Sequence, residues 1–155
     1  MIFSKWFKPK AVRKIAFLDG DQPLNGIINS YQKYLVGTET HLIRAFTENA
    51  HTKEPKVLRM LDKKINKIYL GGYTRGKEIV DKFIGAYIQK AVQDGYKHIT
   101  VVSSDYDFID IFKMALVLNP KVTDVTFRII VPNGRGRMSD LPDQIANIEV
   151  IQDCQ

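Results

Sequence analysis

The chain has 155 residues, 45% of them hydrophobic, enough for one core of ordinary size and too few for two. Lysine and arginine number 23 against 17 aspartate and glutamate, a net charge of +6, which favours a polyanionic partner. The one cysteine, Cys154, excludes an internal disulfide and suits a reducing, cytoplasmic setting, and no run approaches the ~18 apolar residues that would span a bilayer.

Residues 1–14, "MIFSKWFKPKAVRK", form a basic leader with Lys5, Lys8, Lys10, Arg13 and Lys14 and no acid, its apolar positions too interrupted for an export signal. A single domain over 15–155 is expected after it. "KIAFLDGD" reads as a buried strand ending at Asp19. "GIINSYQKYLVG" spaces Ile27, Ile28, Tyr31 and Leu35 as a helix, with Gly37 placed to end it. "THLIRAFT" is a second strand, "PKVLRMLDKKI" a helix opening near Pro55, and "KIYLGGYT" a third strand. Lys77 to Asp94 carries the longest helical pattern. "HITVVSS" is a fourth strand, "FIDIFKMALVL" a helix, "VTFRIIVP" a fifth strand and "IANIEVIQ" a short sixth, with "PNGRGRMSD" a loop between the last two. Strands that are apolar on both faces and alternate with helices predict a Rossmann-like three-layer α/β/α domain around a mainly parallel sheet of five or six strands.

In such sheets ligands bind beyond the carboxyl ends of the strands, and acids crowd two of those positions: Asp19 and Asp21 after the first strand, Asp105 and Asp107 after the fourth. If the first and fourth strands are neighbours, all four carboxylates meet. On the long helix, Ile79, Val80, Phe83, Ile84, Tyr87, Ile88 and Ala91 make a buried arc, and Asp81 falls inside it, roughly 20° from Ile88 and from Val92 by the ~3.6-residue period. A carboxylate there needs a base such as Arg75 or Lys77, the favourable end of the helix dipole, or a polar site. Taken singly, the acids also fit helix capping and turn chemistry. Jointly, five aspartates converging on one crevice call for a hard divalent cation, Mg²⁺ or Mn²⁺, held by carboxylates and water. Setting those five aside leaves twelve acids against 23 bases, a net charge of +11, an acidic hole in a basic surface that suits a phosphodiester.

"FLDGDQ", the helix "EIVDKFIGAYI" and "VVSSDYDF" together resemble the three acidic motifs of NYN domains, PIN-like nucleases that include the LabA and limkain types. The resemblance runs in order from Ile15 to about Val131. It implies a metal-dependent endoribonuclease with Asp19, Asp81, Asp105 and Asp107 at the metal site, water attacking the phosphodiester in line, and products with a 5′-phosphate and a 3′-hydroxyl. Gln22 stands where the family usually has Asn, and Ser104 where Gly is common.

RNA is thus the expected partner, with homodimer formation left open. Substrate contacts are expected from Gln22, Ser104, Arg75, Lys77, Arg135 and Arg137, with Tyr73 and Tyr106 stacking bases; Ser103 fits a strand-end role better than a phosphate contact. His41, His51 and His98 are too scattered for histidine chemistry. Two other functions compete: a haloacid-dehalogenase-like phosphatase using Asp19 as nucleophile and Asp21 as acid, and an RNA-binding or adaptor domain that does not cut.

Overall fold

The computed structural model describes residues 12–45, 58, 61, 63, 65–70, 78–132 and 147–153. In chain order these contain β1 (Lys14–Asp19), α1 (Leu24–Tyr34), β2 (Glu39–Arg44), β3 (Asn66–Tyr69), α2 (Glu78–Gln93), β4 (His98–Val102), α3 (Asp107–Leu118), β5 (Thr126–Pro132) and β6 (Ile148–Asp153). The strands form one six-stranded sheet, order β3-β2-β1-β4-β5-β6, parallel at every pairing. The expected three-layer α/β/α fold is therefore present, and β1 lies beside β4 as the acid motifs require. The helix expected in "PKVLRMLDKKI" falls largely outside the described residues, although Leu58, Leu61 and Ile65 are buried beside α1.

Strand alternation explains how both faces are covered. Ile15 and Phe17, Ile99 and Val101, and Phe127 and Ile129 point to α2 and α3, whereas Ala16, Leu18, Val102 and Ile130 point to α1. Because each face is buried, the strands read as continuous apolar runs rather than alternating ones. On α2 the buried stripe is Val80, Ile84, Ile88, Ala91 and Val92. Ile79, expected in that arc, is exposed at 38%; it lies about 140° round from Ile84 by the helical period, on the far side of the helix. Asp81 lies only about 60° from Ile84, which leaves it half-buried at the edge of the stripe.

Two local features hold the ends of the strands. At the far edge, the buried Asp153 on β6 accepts hydrogen bonds from Ser30 Oγ (2.8 Å) and Lys33 Nζ (3.0 Å), tying the last strand to α1. At the centre, Gly20 turns the chain out of β1 while its N–H donates to Ile43 O at 2.8 Å. A Cβ on Gly20 would run into that same carbonyl oxygen and into the Arg44 side chain. Gly20→Ala is expected to lower stability by about 1–3 kcal/mol, since the obstruction is backbone rather than a movable side chain; a shift in the urea midpoint measures it.

Candidate metal centre

In this strand order the direction of winding reverses between β1 and β4, and the loops after these two strands part to leave a crevice. Asp19 is the last residue of β1, on the side chain alternation that faces α2. Asp105 follows β4 directly, and Asp81 projects from the first turn of α2. Together with Asp21, Gln22 and Ser104 these residues line one cleft of about 280 Å³. Three separate stretches of chain thus bring four carboxylates to one place.

The carboxylates differ in their support. Asp19 is only 2% exposed; Ser103 Oγ donates to its Oδ2 at 2.7 Å and the backbone N–H of Asp21 to its Oδ1 at 3.3 Å. Ser103 Oγ in turn accepts the Asp105 N–H at 3.1 Å, so one buried hydroxyl links the loops after β1 and β4. Asp105 Oδ1 accepts the N–H of Asp107 at 2.9 Å, so one of its oxygens steadies the start of α3. Asp105 is not the helix cap, a position that Tyr106 holds without a side-chain cap bond; its bond to the Asp107 N–H is a turn contact made from the residue before the cap. Asp21 Oδ1 accepts the N–H of Ala45 at 3.4 Å, beyond the end of β2. Asp107 is exposed and stands outside this cleft, lining an adjoining one of about 190 Å³ with Asp81, Lys82, Asp105, Phe108 and Ile111.

Crowding shows in the proton affinities. Burial raises the Asp19 carboxyl above the usual aspartate range, against the opposing effect of its Ser103 and Asp21 hydrogen bonds, and the charges of Asp21 and Asp105 add to the rise. Asp81 is pushed up to about 7, first by burial, then by a hydrogen bond shared with Asp105 and by the charges of Asp19, Asp105 and Asp21. Asp107 is raised chiefly by the charge of Asp105. Among the described residues no base pairs with Asp81.

Among the described residues no group of three or more His, Cys, Asp or Glu side chains is placed so that it could hold a metal ion. The donor chemistry nevertheless fits a hard cation: every acidic group is a carboxylate, the cleft is open to water, and among the described residues no base pairs with Asp81. Asp19, Asp81 and Asp105 would be the inner holders, with Asp21 and Asp107 to either side.

Of the expected substrate contacts, Gln22 and Ser104 lie in the cleft and touch each other, the Ser104 N–H donating to Gln22 Oε1 at 3.2 Å. Arg75, Lys77, Arg135, Arg137 and Tyr73 lie outside the described residues. Tyr106 packs its ring against the α2–α3 core, with its hydroxyl buried and unpartnered among the described residues, so it does not present a stacking face as expected. Ser103 takes the structural part foreseen for it. Lys82 and Ile111 were missed by sequence reading; Lys82 signals itself only by following Asp81, and Ile111 only by its place one turn after Phe108. No described histidine lines the cleft, and His98 opens β4 at its amino end.

The Ser103 hydroxyl is the keystone of this arrangement. Ser103→Ala would strip a buried carboxylate of its shortest donor and leave the Asp105 N–H without its acceptor. A loss of about 1–3 kcal/mol is expected, read from denaturant unfolding in the absence of metal.

No helix among the described residues is long and apolar enough to cross a membrane. No family model, curated protein or solved structure matches the chain.

Proposed function

We propose that this protein is a metal-dependent ribonuclease, hydrolysing phosphodiester bonds of single-stranded RNA with Mg²⁺ or Mn²⁺ held by Asp19, Asp21, Asp81, Asp105 and Asp107. The observation that carries the reading is the convergence of four carboxylates from three chain segments on one cleft at the reversal point of the sheet. Burial, the Asp105 hydrogen bond and the neighbouring carboxylates push the Asp81 carboxyl up to about 7, a crowding that a bound cation would relieve.

When bound, the ion supplies a Lewis acid for the phosphoryl oxygens and lowers the pKa of a water molecule. The chain's own residues do the rest. Asp19, fixed by Ser103 and the Asp21 N–H, is a rigid ligand that need not be ordered on binding. Asp105 keeps one oxygen on the Asp107 N–H and has the other for the cleft. Gln22 spends its carbonyl oxygen on the Ser104 N–H, which leaves its amide N–H₂ as a donor for a phosphate oxygen. The chain's overall excess of lysine and arginine favours a polyanion.

A phosphatase reading asks Asp19 to be the nucleophile. An aspartate that is 2% exposed with a hydrogen bond on each oxygen is badly placed for attack. The test is incubation with end-labelled single-stranded RNA in Mg²⁺, Mn²⁺ or EDTA, followed by analysis of the product ends. Cleavage that needs metal and leaves 5′-phosphates is the expected result. RNA that shifts in a gel but stays intact under all conditions would indicate a binding module, and a trapped phosphoryl-aspartate would indicate a phosphatase.

A further inference from the structure

A second cleft, of about 300 Å³, lies on the other side of the sheet, at the amino ends of the strands. α1 covers the carboxyl half of this face, where Ala16, Leu18, Val102 and Ile130 are apolar. The amino half is polar. Lys14, His98 and Thr126 form one rung across β1, β4 and β5, and Thr100, Arg128 and Glu149 form the next across β4, β5 and β6. The topology accounts for the gap: right-handed crossovers place α3, the connection from β4 to β5, on the opposite face, leaving these rungs without a helix of their own among the described residues.

Arg128 stands at the centre of the cleft, half-buried, and its Nε is fully buried with no hydrogen-bond partner among the described residues. A buried guanidinium N–H is rarely left without an acceptor, because its lost hydration is not replaced. Glu149, its neighbour in register, makes no ion pair with it. With Lys14 and Arg128 against Glu149, the lining carries one net positive charge. Lys14 is on the exposed rim, while Thr100 brings a hydroxyl-bearing side chain to the buried floor.

We propose that this cleft binds a phosphoryl group, with Arg128 as the principal contact, Lys14 as the second cation and Thr100 beside them. A phosphoryl group suits the lining better than a carboxylate does. Its several acceptor oxygens can meet a guanidinium, an ammonium and a hydroxyl at once, and its attraction to the two cations, Lys14 and Arg128, is opposed by the single carboxylate of Glu149. The proposal does not depend on the function of the acidic cleft, which lies at the opposite ends of the strands.

The test is calorimetric titration of the full chain in EDTA with inorganic phosphate, with AMP, and with a short RNA carrying either a 5′-phosphate or a 5′-hydroxyl. Arg128→Gln is expected to weaken binding at least tenfold. Lys14→Gln, at an exposed position that leaves the fold intact, is expected to weaken it severalfold. Equal affinity for phosphate and AMP would identify a simple phosphoryl site, tighter AMP a small nucleotide, and tighter binding only of the 5′-phosphorylated RNA a polynucleotide end. Absence of binding by all four ligands, or binding that Lys14→Gln and Arg128→Gln both leave unchanged, would overturn the proposal. Asp105→Asn is expected to bind as the parent does, which separates this site from any failure of the nuclease reading.

Discussion

Asp105→Asn is expected to lower the rate of RNA cleavage by about 10³-fold or more while leaving the protein folded. The substitution keeps what Asp105 does for the structure. An asparagine Oδ1 still accepts the Asp107 N–H, and the bond from residue 105 to Ser103 Oγ comes from the backbone. It removes a carboxylate that a bound cation would use, because Asp105, together with Asp81, lines both adjoining clefts. It also relieves Asp107, whose carboxyl is raised chiefly by the charge of Asp105. The metal-free melting temperature should therefore stay within about 2 °C of the parent or rise slightly. Cleavage at the parental rate in a variant shown by calorimetry to have lost metal binding would remove the metal from the mechanism.

The second large effect is a dependence of metal affinity on pH. Asp81 holds its proton to about 7, and a cation must displace that proton to use the carboxylate. Apparent Mn²⁺ affinity should rise about tenfold per pH unit below 7 and level off above it, close to 100-fold between pH 5 and 7. The stability of the metal-free protein runs the other way. A carboxyl whose folded pKa is raised binds its proton more tightly in the folded than in the unfolded chain. Its contribution is complete below the unfolded value near 4 and is lost as pH climbs through about 7. Asp19, also raised, acts in the same sense. The metal-free melting temperature should fall from pH 5 to pH 8. Asp81→Asn should flatten that fall without adding stability at pH 5, and Mn²⁺ should restore stability to the parent at pH 8 but not to the variant. Thermal scans at fixed ionic strength across this range measure all three, and an Mn²⁺ affinity independent of pH would rule out Asp81 as a ligand.

Much of this protein is legible along the chain. The apolar runs Ile15–Leu18, Ile99–Val102 and Phe127–Val131 read as strands because most of their positions on both sides are buried, and the fold class follows from their alternation with helices. The aspartates after β1 and β4 could be marked because positions beyond strand ends are where this fold keeps its chemistry. The 100° periodicity alone put Asp81 where a carboxylate is costly.

Other features required the folded chain. Sequence order does not say that β1 pairs with β4 rather than β5; that pairing brings Asp19 to Asp105, across a gap of more than 80 residues in sequence. Ser103 looks like any strand-end serine until tertiary contact shows it bridging Asp19 and the Asp105 N–H. Asp105 and Asp107 are equivalent in the string "SSDYDF", yet the turn into α3 sends the first into the main cleft and the second outside it. Tyr106 reads as an exposed aromatic between two acids, and only packing against α2 and α3 turns it inward. Arg128 looks like an ordinary charge within a strand, and only the folded sheet shows its Nε buried with no partner among the described residues. A sequence records which residues prefer burial or charge, a local property, whereas the company a side chain keeps is set by strand order and handedness, which act between segments far apart in the chain.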